Sequence, residues 1–138
     1  MKKDYDVLVI GPVSWDCNID YQGNKLEELG GAVVASGFAA AKSGNKTALF
    51  TKSKAFDKAE VEKRFADSDA DLYWGDSKDT CSIKNQYFTA DKEKRECTSM
   101  GVCDTFRFDE LPDINSKIYH FAGLVYGDFY GEIGRAHV

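Results

Sequence analysis

A short apolar run near the amino terminus constrains the fold of this chain more than any other feature. Asp6 to Gly11 reads DVLVIG, an uninterrupted series of apolar and mostly β-branched residues that ends in glycine. Such runs are typical of strands that are buried on both faces of a parallel sheet, because helices cover both sides of such a sheet. The run therefore predicts an α/β fold with this strand in its core.

A helix and a second strand follow the first strand. From Ala32 to Ser43 nearly every residue is small or apolar, and Ser43-Gly44 is a typical helix stop, so this segment predicts one helix. The segment KTALFTK, Lys46 to Lys52, predicts the next strand and completes a β-α-β pattern. Small side chains should let the helix lie close to a sheet or to a neighbouring helix, and the alanines in question are Ala32, Ala35, Ala39, Ala40 and Ala41.

Four other segments have weaker patterns. Pro12 to Asp20 predicts a loop or an edge strand, because proline cannot donate to a strand ladder. Asp57 to Ala66 predicts a short surface helix. Thr80 to Cys103 predicts a β-hairpin, which either covers a site or extends the sheet. Ser116 to Gly123 predicts a further core strand, so the chain reads as one domain.

Composition excludes several classes of partner and compartment. The net charge is -5 and no basic cluster occurs, so neither nucleic acid nor an anionic membrane is an expected partner. No stretch has the length of a signal peptide core or a membrane span, which favours the cytoplasm. Without a C-x-x-C pair or histidine ligands at zinc-site spacing, the cysteines are expected to be free thiols: Cys17, Cys81, Cys97 and Cys103.

Three familiar catalytic or cofactor motifs fail on inspection. Gly44-Asn45-Lys46-Thr47 lacks the glycines of a phosphate-binding loop and precedes a strand rather than a helix. The turn after Gly11 lacks the later glycines of a dinucleotide fingerprint. His120 lies within an apolar strand, where a structural histidine is expected. We therefore predict no catalytic residue and no metal ligand in this sequence.

The remaining candidate site pairs an acidic residue with two glycines. Asp16 follows the first strand, and Gly30 and Gly31 stand directly before the helix. Glycine lets a ligand approach the main chain, and a helix amino terminus presents unpaired N–H donors. A carboxylate opposite such donors can bind the hydroxyl groups of a polyol. In the alternative interpretation, Asp16 caps a turn and the glycines only form one.

Four segments in this order resemble the amino-terminal portion of the ribokinase-like (PfkB) family of carbohydrate kinases. They are GPVSWD from Gly11, GGAVVA from Gly30, SGNKTALFTK from Ser43 and IYHFAGL from Ile118. The resemblance implies a Rossmann-type α/β sandwich with a β-hairpin lid, here truncated. It also implies a reaction in which a sugar or nucleoside hydroxyl attacks the γ-phosphate of ATP with Mg²⁺.

The resemblance assigns roles to individual residues. Asp16 would bind sugar hydroxyls, and Gly30 and Gly31 would form the close-approach turn beside the sugar. Weaker candidates are Asn18, Asp20, Ser82 and Asn85. The sequence also departs from the family, with Ala35 where asparagine is usual and SKAFD at Ser53 to Asp57 in place of a Gly-Asp pattern. The specificity is therefore expected to differ from that of ordinary ribose or fructose kinases.

Family members are considerably longer than this chain, and their glycine-rich catalytic motif is not found in it. We expect residues 1–132 to be the amino-terminal part of a kinase domain. The tail IGRAHV, residues 133–138, matches one translated frame of a common sequencing adapter and is expected to be non-native. ATP and Mg²⁺ would then bind the full-length parent only. The fragment alone would be inactive and poorly soluble, because half a sheet exposes apolar edges.

Two functions follow as hypotheses. The first is an amino-terminal fragment of an ATP-dependent carbohydrate kinase that phosphorylates a sugar or nucleoside. The second is a non-catalytic sugar- or nucleoside-binding α/β module, or an inactive remnant. In both hypotheses the partner is a small molecule. The family resemblance also implies that the protein can form a homodimer through the lid.

Overall fold

The computed structural model of the protein describes residues 2–130, which form two four-stranded sheets and two α-helices. The strands are β1 (Asp4–Ile10), β2 (Ser14–Ile19), β3 (Lys25–Gly30), β4 (Thr47–Ser53), β5 (Asp71–Asp76), β6 (Cys81–Tyr87), β7 (Arg95–Gly101) and β8 (Asn115–Phe121). The helices are α1 (Ala32–Lys42) and α2 (Lys58–Phe65).

The first sheet is parallel, with the strand order β5-β4-β1-β8. Strand β1 lies inside this sheet, and Leu8, Val9 and Ile10 are 0% exposed. Full burial of each such side chain contributes about 1.5–3 kcal/mol. The α/β fold and the core position of the first strand, both predicted from DVLVIG, are confirmed.

Helix α1 packs on this sheet mainly through two valines and a glycine, with two of the predicted alanines at the margin of the contact. Its buried residues are Val33, Val34 and Gly37, whereas Ala35 is exposed. A Cβ at Gly37 would lie 2.4 Å from Leu49 Cδ2, so the closest approach of helix and sheet requires glycine. The predicted helix is confirmed; of the predicted alanines, Ala32 and Ala40 pack against the core beside the sheet, and Gly37 makes the closest approach. This helix has eleven residues, and the residue at which the preceding turn begins it determines which of its faces meets the sheet.

The second sheet has the strand order β3-β2-β6-β7 and rises from the carboxyl ends of β1 and β5. The predicted hairpin is confirmed as β6 and β7, and β6 pairs parallel with β2, so it does not extend the first sheet. The prediction of a loop or edge strand over 12–20 is wrong, since β2 lies between two partners. Pro12 precedes β2 and costs that strand no ladder bond. We call this second sheet the lid.

Strand β8 differs from its prediction as a core strand. Among residues 2–130 it pairs with β1 only, which makes it the last strand of the described sheet. Ile118 is 57% exposed and His120 is exposed, so the expectation of a structural histidine inside an apolar strand is wrong. An apolar sequence indicates that a segment is a strand of a sheet, but it does not show whether the strand has a neighbouring strand on each side. Poor solubility of the chain stays a prediction.

The sheet face opposite the helices is covered by the segment between β7 and β8 and by the residues after β8. Phe106 is 0% exposed and contacts Phe50 and Phe129. Lys52 lies beneath this cover with a side chain that is 3% exposed, and its ammonium is 2.9 Å from Glu110 Oε2. The same ammonium donates to the Thr105 carbonyl oxygen at 3.2 Å. The cover is therefore held to the sheet by a buried cation as well as by aromatic packing.

All four cysteines are free thiols in the structure. No helix within residues 2–130 has the length and apolar character needed to cross a membrane. The predicted boundary at residue 132 and the predicted non-native tail, 133–138, lie outside the described residues.

The buried ion pair predicts unequal effects of removing its two members. Glu110→Ala leaves the Lys52 ammonium buried without its carboxylate and should lower the free energy of unfolding by about 2–4 kcal/mol. Lys52→Met removes the buried charge, and the Glu110 side chain, 33% exposed, then meets water, so the loss should be about half as large. Urea denaturation of the two variants measures the difference. Equal losses, or a larger loss for Lys52→Met, would contradict this account.

Candidate functional site

The candidate site forms where the chain passes from the first sheet into the lid and back again. Residues 11–13 join β1 to β2, and Gly31 joins β3 to α1. The Val13 N–H donates to Thr51 Oγ1 at 3.0 Å, which fixes the first passage to the end of β4. Both passages lie at the carboxyl end of the parallel sheet, the edge at which open α/β sheets bind ligands.

Asp16 and Gly30 are brought into contact at this edge. A Cβ at Gly30 would lie 3.2 Å from Asp16 Oδ2, so the absence of a side chain at Gly30 makes room for the carboxylate. Ser14, which is 0% exposed, donates its hydroxyl to Asp16 Oδ1 at 2.9 Å. The carboxylate is therefore oriented by one bond and keeps Oδ2 toward the glycine turn.

Gly31 makes the turn itself. Its φ of 108° lies in the region that favours glycine, and it is the N-cap residue of α1 without a side-chain cap. A Cβ there would lie 3.1 Å from the Pro12 carbonyl oxygen and 3.3 Å from Leu124 Cδ1. Leu124 is held in place by Asp128, whose Oδ2 accepts its N–H at 2.6 Å. The helix amino terminus, the glycine turn and the segment after β8 thus meet at one point.

The surroundings of Asp16 disfavour its charge. Burial raises the pKa of its carboxyl, and the nearby Glu28 carboxylate raises the pKa further, whereas the bond from Ser14 acts in the opposite direction. Glu28 is the register partner of Asp16 on β3. A ligand hydroxyl that donates to Asp16 would replace the water lost on burial and so relieve part of this cost.

Strand alternation divides the other candidates between the two faces of the lid. Asn18 is two residues from Asp16 on β2 and is paired with Asn85 on β6, so both lie on the side of the Asp16 carboxylate, which we call the Asp16 face. Asn85 Nδ2 donates to Asn18 Oδ1 at 2.9 Å. Asn18 also borders a cavity of about 410 Å³ together with Glu28 and Tyr87.

The other two weaker candidates, Ser82 and Asp20, border cavities beside this site but form hydrogen bonds of their own. Ser82 is in register with Trp15 on the opposite face and donates to the Trp15 carbonyl oxygen at 3.1 Å. Ser82 borders a cavity of about 280 Å³ together with Asp16 and Cys17, and Asp20 borders the 410 Å³ cavity together with Asn18. Asp20 accepts the backbone N–H groups of Gln22 and Asn24 at 3.0 and 2.8 Å, so it stabilises the turn between β2 and β3.

Sequence reasoning missed Ser14, Glu28 and Leu124. Ser14 and Asp16 have the spacing of two residues that share one face of a strand, a signal that is lost when the segment is taken as a loop. Glu28 meets Asp16 only through the register of β2 and β3. Leu124 reaches Gly31 across 93 positions of sequence, and no local pattern reports that contact.

These residues can form hydrogen bonds with a bound ligand. Asp16 accepts hydrogen bonds, Asn18 and the first amides of α1 can donate them, and the turn leaves the backbone open to a ligand. Within residues 2–130, no group of three or more histidine, cysteine or acidic side chains is arranged to hold a metal ion.

Comparison with known proteins identifies the fold. No protein-family model and no curated protein matches the sequence. A pyrophosphate-dependent kinase in the ribokinase family, solved as a sulfate complex, matches 94% of this chain with a TM-score of 0.83 and 27% identity. The chain has the ribokinase fold. A pyrophosphate-dependent kinase of that family complexed with a pyrophosphate analog and myo-inositol matches 94% of the chain, with a TM-score of 0.82 and 26% identity.

More distant structures share the ribokinase fold alone. Adenosine kinase from Sinorhizobium meliloti matches 85% of the chain with a TM-score of 0.65 and 19% identity. The chain spans less than half the length of these structures, 45%, 44% and 46% in the order given. This coverage is consistent with the predicted amino-terminal portion of a ribokinase-like sandwich. The predicted hairpin lid is present and is extended by β2 and β3.

The two glycines are predicted to tolerate alanine differently. Gly31→Ala places a side chain at a φ of 108° against the Pro12 carbonyl oxygen and should cost about 1–3 kcal/mol of folding free energy. Gly30→Ala meets only the Asp16 carboxylate and should cost less than about 1 kcal/mol. Thermal and urea unfolding of both variants measure these losses. A Gly31→Ala variant as stable as the wild type would show that the turn is not strained by a side chain.

The electrostatic environment of Asp16 predicts a pH-dependent stability effect. Because the pKa is raised in the folded state, ionisation of Asp16 opposes folding as the pH rises above its ordinary pKa, and the cost persists at pH 7. Asp16→Asn should therefore raise the free energy of unfolding at pH 7, by less than about 1 kcal/mol since the carboxyl is partly exposed, and with it the Tm. The gain should be lost below about pH 4.

Asp20→Asn is the matched control with the opposite sign. The bonds from Asn24 and Gln22 lower the pKa of the Asp20 carboxyl, so its charge favours folding. Its replacement should lower the Tm at pH 7 and have little effect at low pH. Thermal melts from pH 3 to 8 test both variants, and a lower Tm for Asp16→Asn at pH 7 would overturn the account of Asp16.

Proposed function

We propose that this chain is the acceptor-binding part of a carbohydrate kinase, in which Asp16, Gly30 and Gly31 bind the hydroxyl groups of a sugar, a cyclic polyol or a nucleoside. The full-length parent transfers a phosphoryl group to one of those hydroxyls. The observation that carries the proposal is the contact between the Asp16 carboxylate and the Gly30 turn, directly before the amino terminus of α1.

The neighbouring structures support the acceptor class. One of them is a kinase complexed with myo-inositol and another is an adenosine kinase, so polyhydroxylated acceptors are bound by this fold. Asp16 suits such a ligand because an ionised carboxylate forms strong hydrogen bonds with hydroxyl donors. The exposed Ala35 offers no polar group at the position where the family resemblance places an asparagine. We therefore place the specificity of this protein in the lid rather than in α1.

The phosphoryl donor and its metal belong to the parent protein. The resemblance implies ATP with Mg²⁺, whereas two of the neighbours are pyrophosphate-dependent. The chain's own residues would bind and orient the acceptor, and the fragment would not catalyse transfer.

Direct binding tests the proposal. Isothermal titration of the 138-residue chain with myo-inositol, D-ribose and adenosine should show saturable binding of at least one of the three. Asp16→Asn should weaken that binding by about 10- to 100-fold, because a hydrogen bond to a charged group is replaced by a neutral one. Asp91→Asn, in the turn between β6 and β7 and outside both cavities described above, should bind like the wild type. Circular dichroism checks that each variant is folded.

Three results separate the hypotheses. Binding of none of the three ligands by a folded chain would overturn the proposal. Binding without dependence on Asp16 would place the ligand elsewhere. The parent protein decides between kinase and binding module: transfer from ATP or pyrophosphate to the bound ligand favours the kinase, and binding without transfer from either donor favours the module.

Two finer predictions belong to the same proposal. We place the protein in the cytoplasm and expect the parent to form a homodimer through the lid. The free edges of the lid are β3 and β7, and Leu26 and Met100 on them are 57% and 62% exposed. Light scattering of the parent protein would show a monomer if the lid does not pair.

A further inference from the structure

Three polar side chains form a row across the Asp16 face of the lid. Asn18 on β2 is in register with Asn85 on β6, and Asn85 is in register with Cys97 on β7. Directly paired residues share one face of a sheet, so the row crosses three strands beside Asp16. The Asn18 end of the row borders the 410 Å³ cavity, which Asp16 itself does not line but its register partner Glu28 does, and the volume falls in the size range of small-molecule sites.

The hydrogen bonds in this row have a fixed direction. The Cys97 thiol donates to Asn85 Oδ1 at 2.8 Å, and Asn85 Nδ2 donates to Asn18 Oδ1 at 2.9 Å. A carboxamide has one acceptor oxygen and one donor nitrogen, so each bond orients the next amide group. Asn18 is left with its Nδ2 donors, which have no partner within residues 2–130.

The row therefore ends in a hydrogen-bond donor, the Asn18 amide nitrogen, near a hydrogen-bond acceptor, the Asp16 carboxylate. Asn18 and Asp16 are two residues apart on one strand face, about 6.6 Å along the strand. A ligand hydroxyl can accept from Asn18 Nδ2, while it or an adjacent hydroxyl donates to Asp16 Oδ2. Donor and acceptor at this spacing suit two neighbouring hydroxyl groups of a ring better than a single isolated one.

We infer that Asn18 is a specificity-determining residue that binds the second hydroxyl of a vicinal diol, and that Asn85 and Cys97 are positioning residues that orient its amide. This inference rests on the proposed function. It adds a second ligand-binding residue to the Asp16 site, and in this account residues of the lid determine which diol is bound.

The test measures ligand binding by the 138-residue chain with the tightest of myo-inositol, D-ribose and adenosine. Cys97→Ala removes the donor that starts the row and should weaken binding about three- to tenfold, the effect of losing one oriented hydrogen bond. Cys97→Ser retains a donor and should restore most of the affinity. Thr98→Ala is the matched control and should bind like the wild type, since Thr98 is the exposed neighbour of Cys97 on β7 and faces the opposite side of the lid.

A double-mutant cycle shows whether Cys97 acts through Asn18. Asn18→Ala should weaken binding about tenfold, and Cys97→Ala should then have no further effect in that background. A further loss of the same size in the Asn18→Ala background would overturn the positioning role.

The remaining outcomes separate this inference from the proposed function. If the wild type binds a ligand and Asp16→Asn loses it, but Asn18→Ala and Cys97→Ala bind like the wild type, the row is not part of the site and the inference is wrong. If the folded wild type binds none of the three ligands, the proposed function fails and the inference fails with it. Cys97 is exposed, so its substitution should leave the fold intact, and circular dichroism verifies this.

Discussion

The left-handed backbone at Gly31 is the constraint on which the arrangement of this protein depends. At this residue the chain leaves the lid and starts α1, with the Pro12 carbonyl oxygen and Leu124 so close that a side chain would strain both contacts. The same turn positions the start of α1 against the parallel sheet and the end of β3 against β2. Asp16 meets Gly30 because both strands of that pair are anchored at the same edge.

The lid and the sheet contribute different parts of the candidate site. The sheet supplies a rigid edge through its two inner strands, β4, which is buried throughout, and β1, whose apolar residues are buried. The lid supplies the polar side chains in two alternating sets. Ser14, Asp16 and Asn18 lie on one face of β2, while Trp15 lies on the other and packs against the apolar cluster beneath α1. The polar face is therefore backed by a packed one, which holds its carboxylate and amides in place.

Local patterns predicted the elements whose side chains repeat a simple environment. Strand β1, helix α1 and the β6–β7 hairpin were all predicted, because burial on both faces, helical packing and a polar turn each leave a periodic signal. The segments of β3 and β5 were assigned no element. In β3, KLEELG is mostly exposed and carries no strand alternation, so only its pairing with β2 makes it a strand.

The sequence by itself determined the α/β class, the order of its core elements and the two halves of the candidate site, Asp16 and the glycine pair. These features are local, since a buried strand, a helix start and a positive φ each require particular residues at adjacent positions. Only the tertiary structure decided that β2 is an inner lid strand, that β8 is the last strand of the described sheet and that Gly37 rather than alanine meets Leu49. It also aligned Asn18, Asn85 and Cys97, because strand register joins residues that are far apart in sequence and leaves no trace within any one segment.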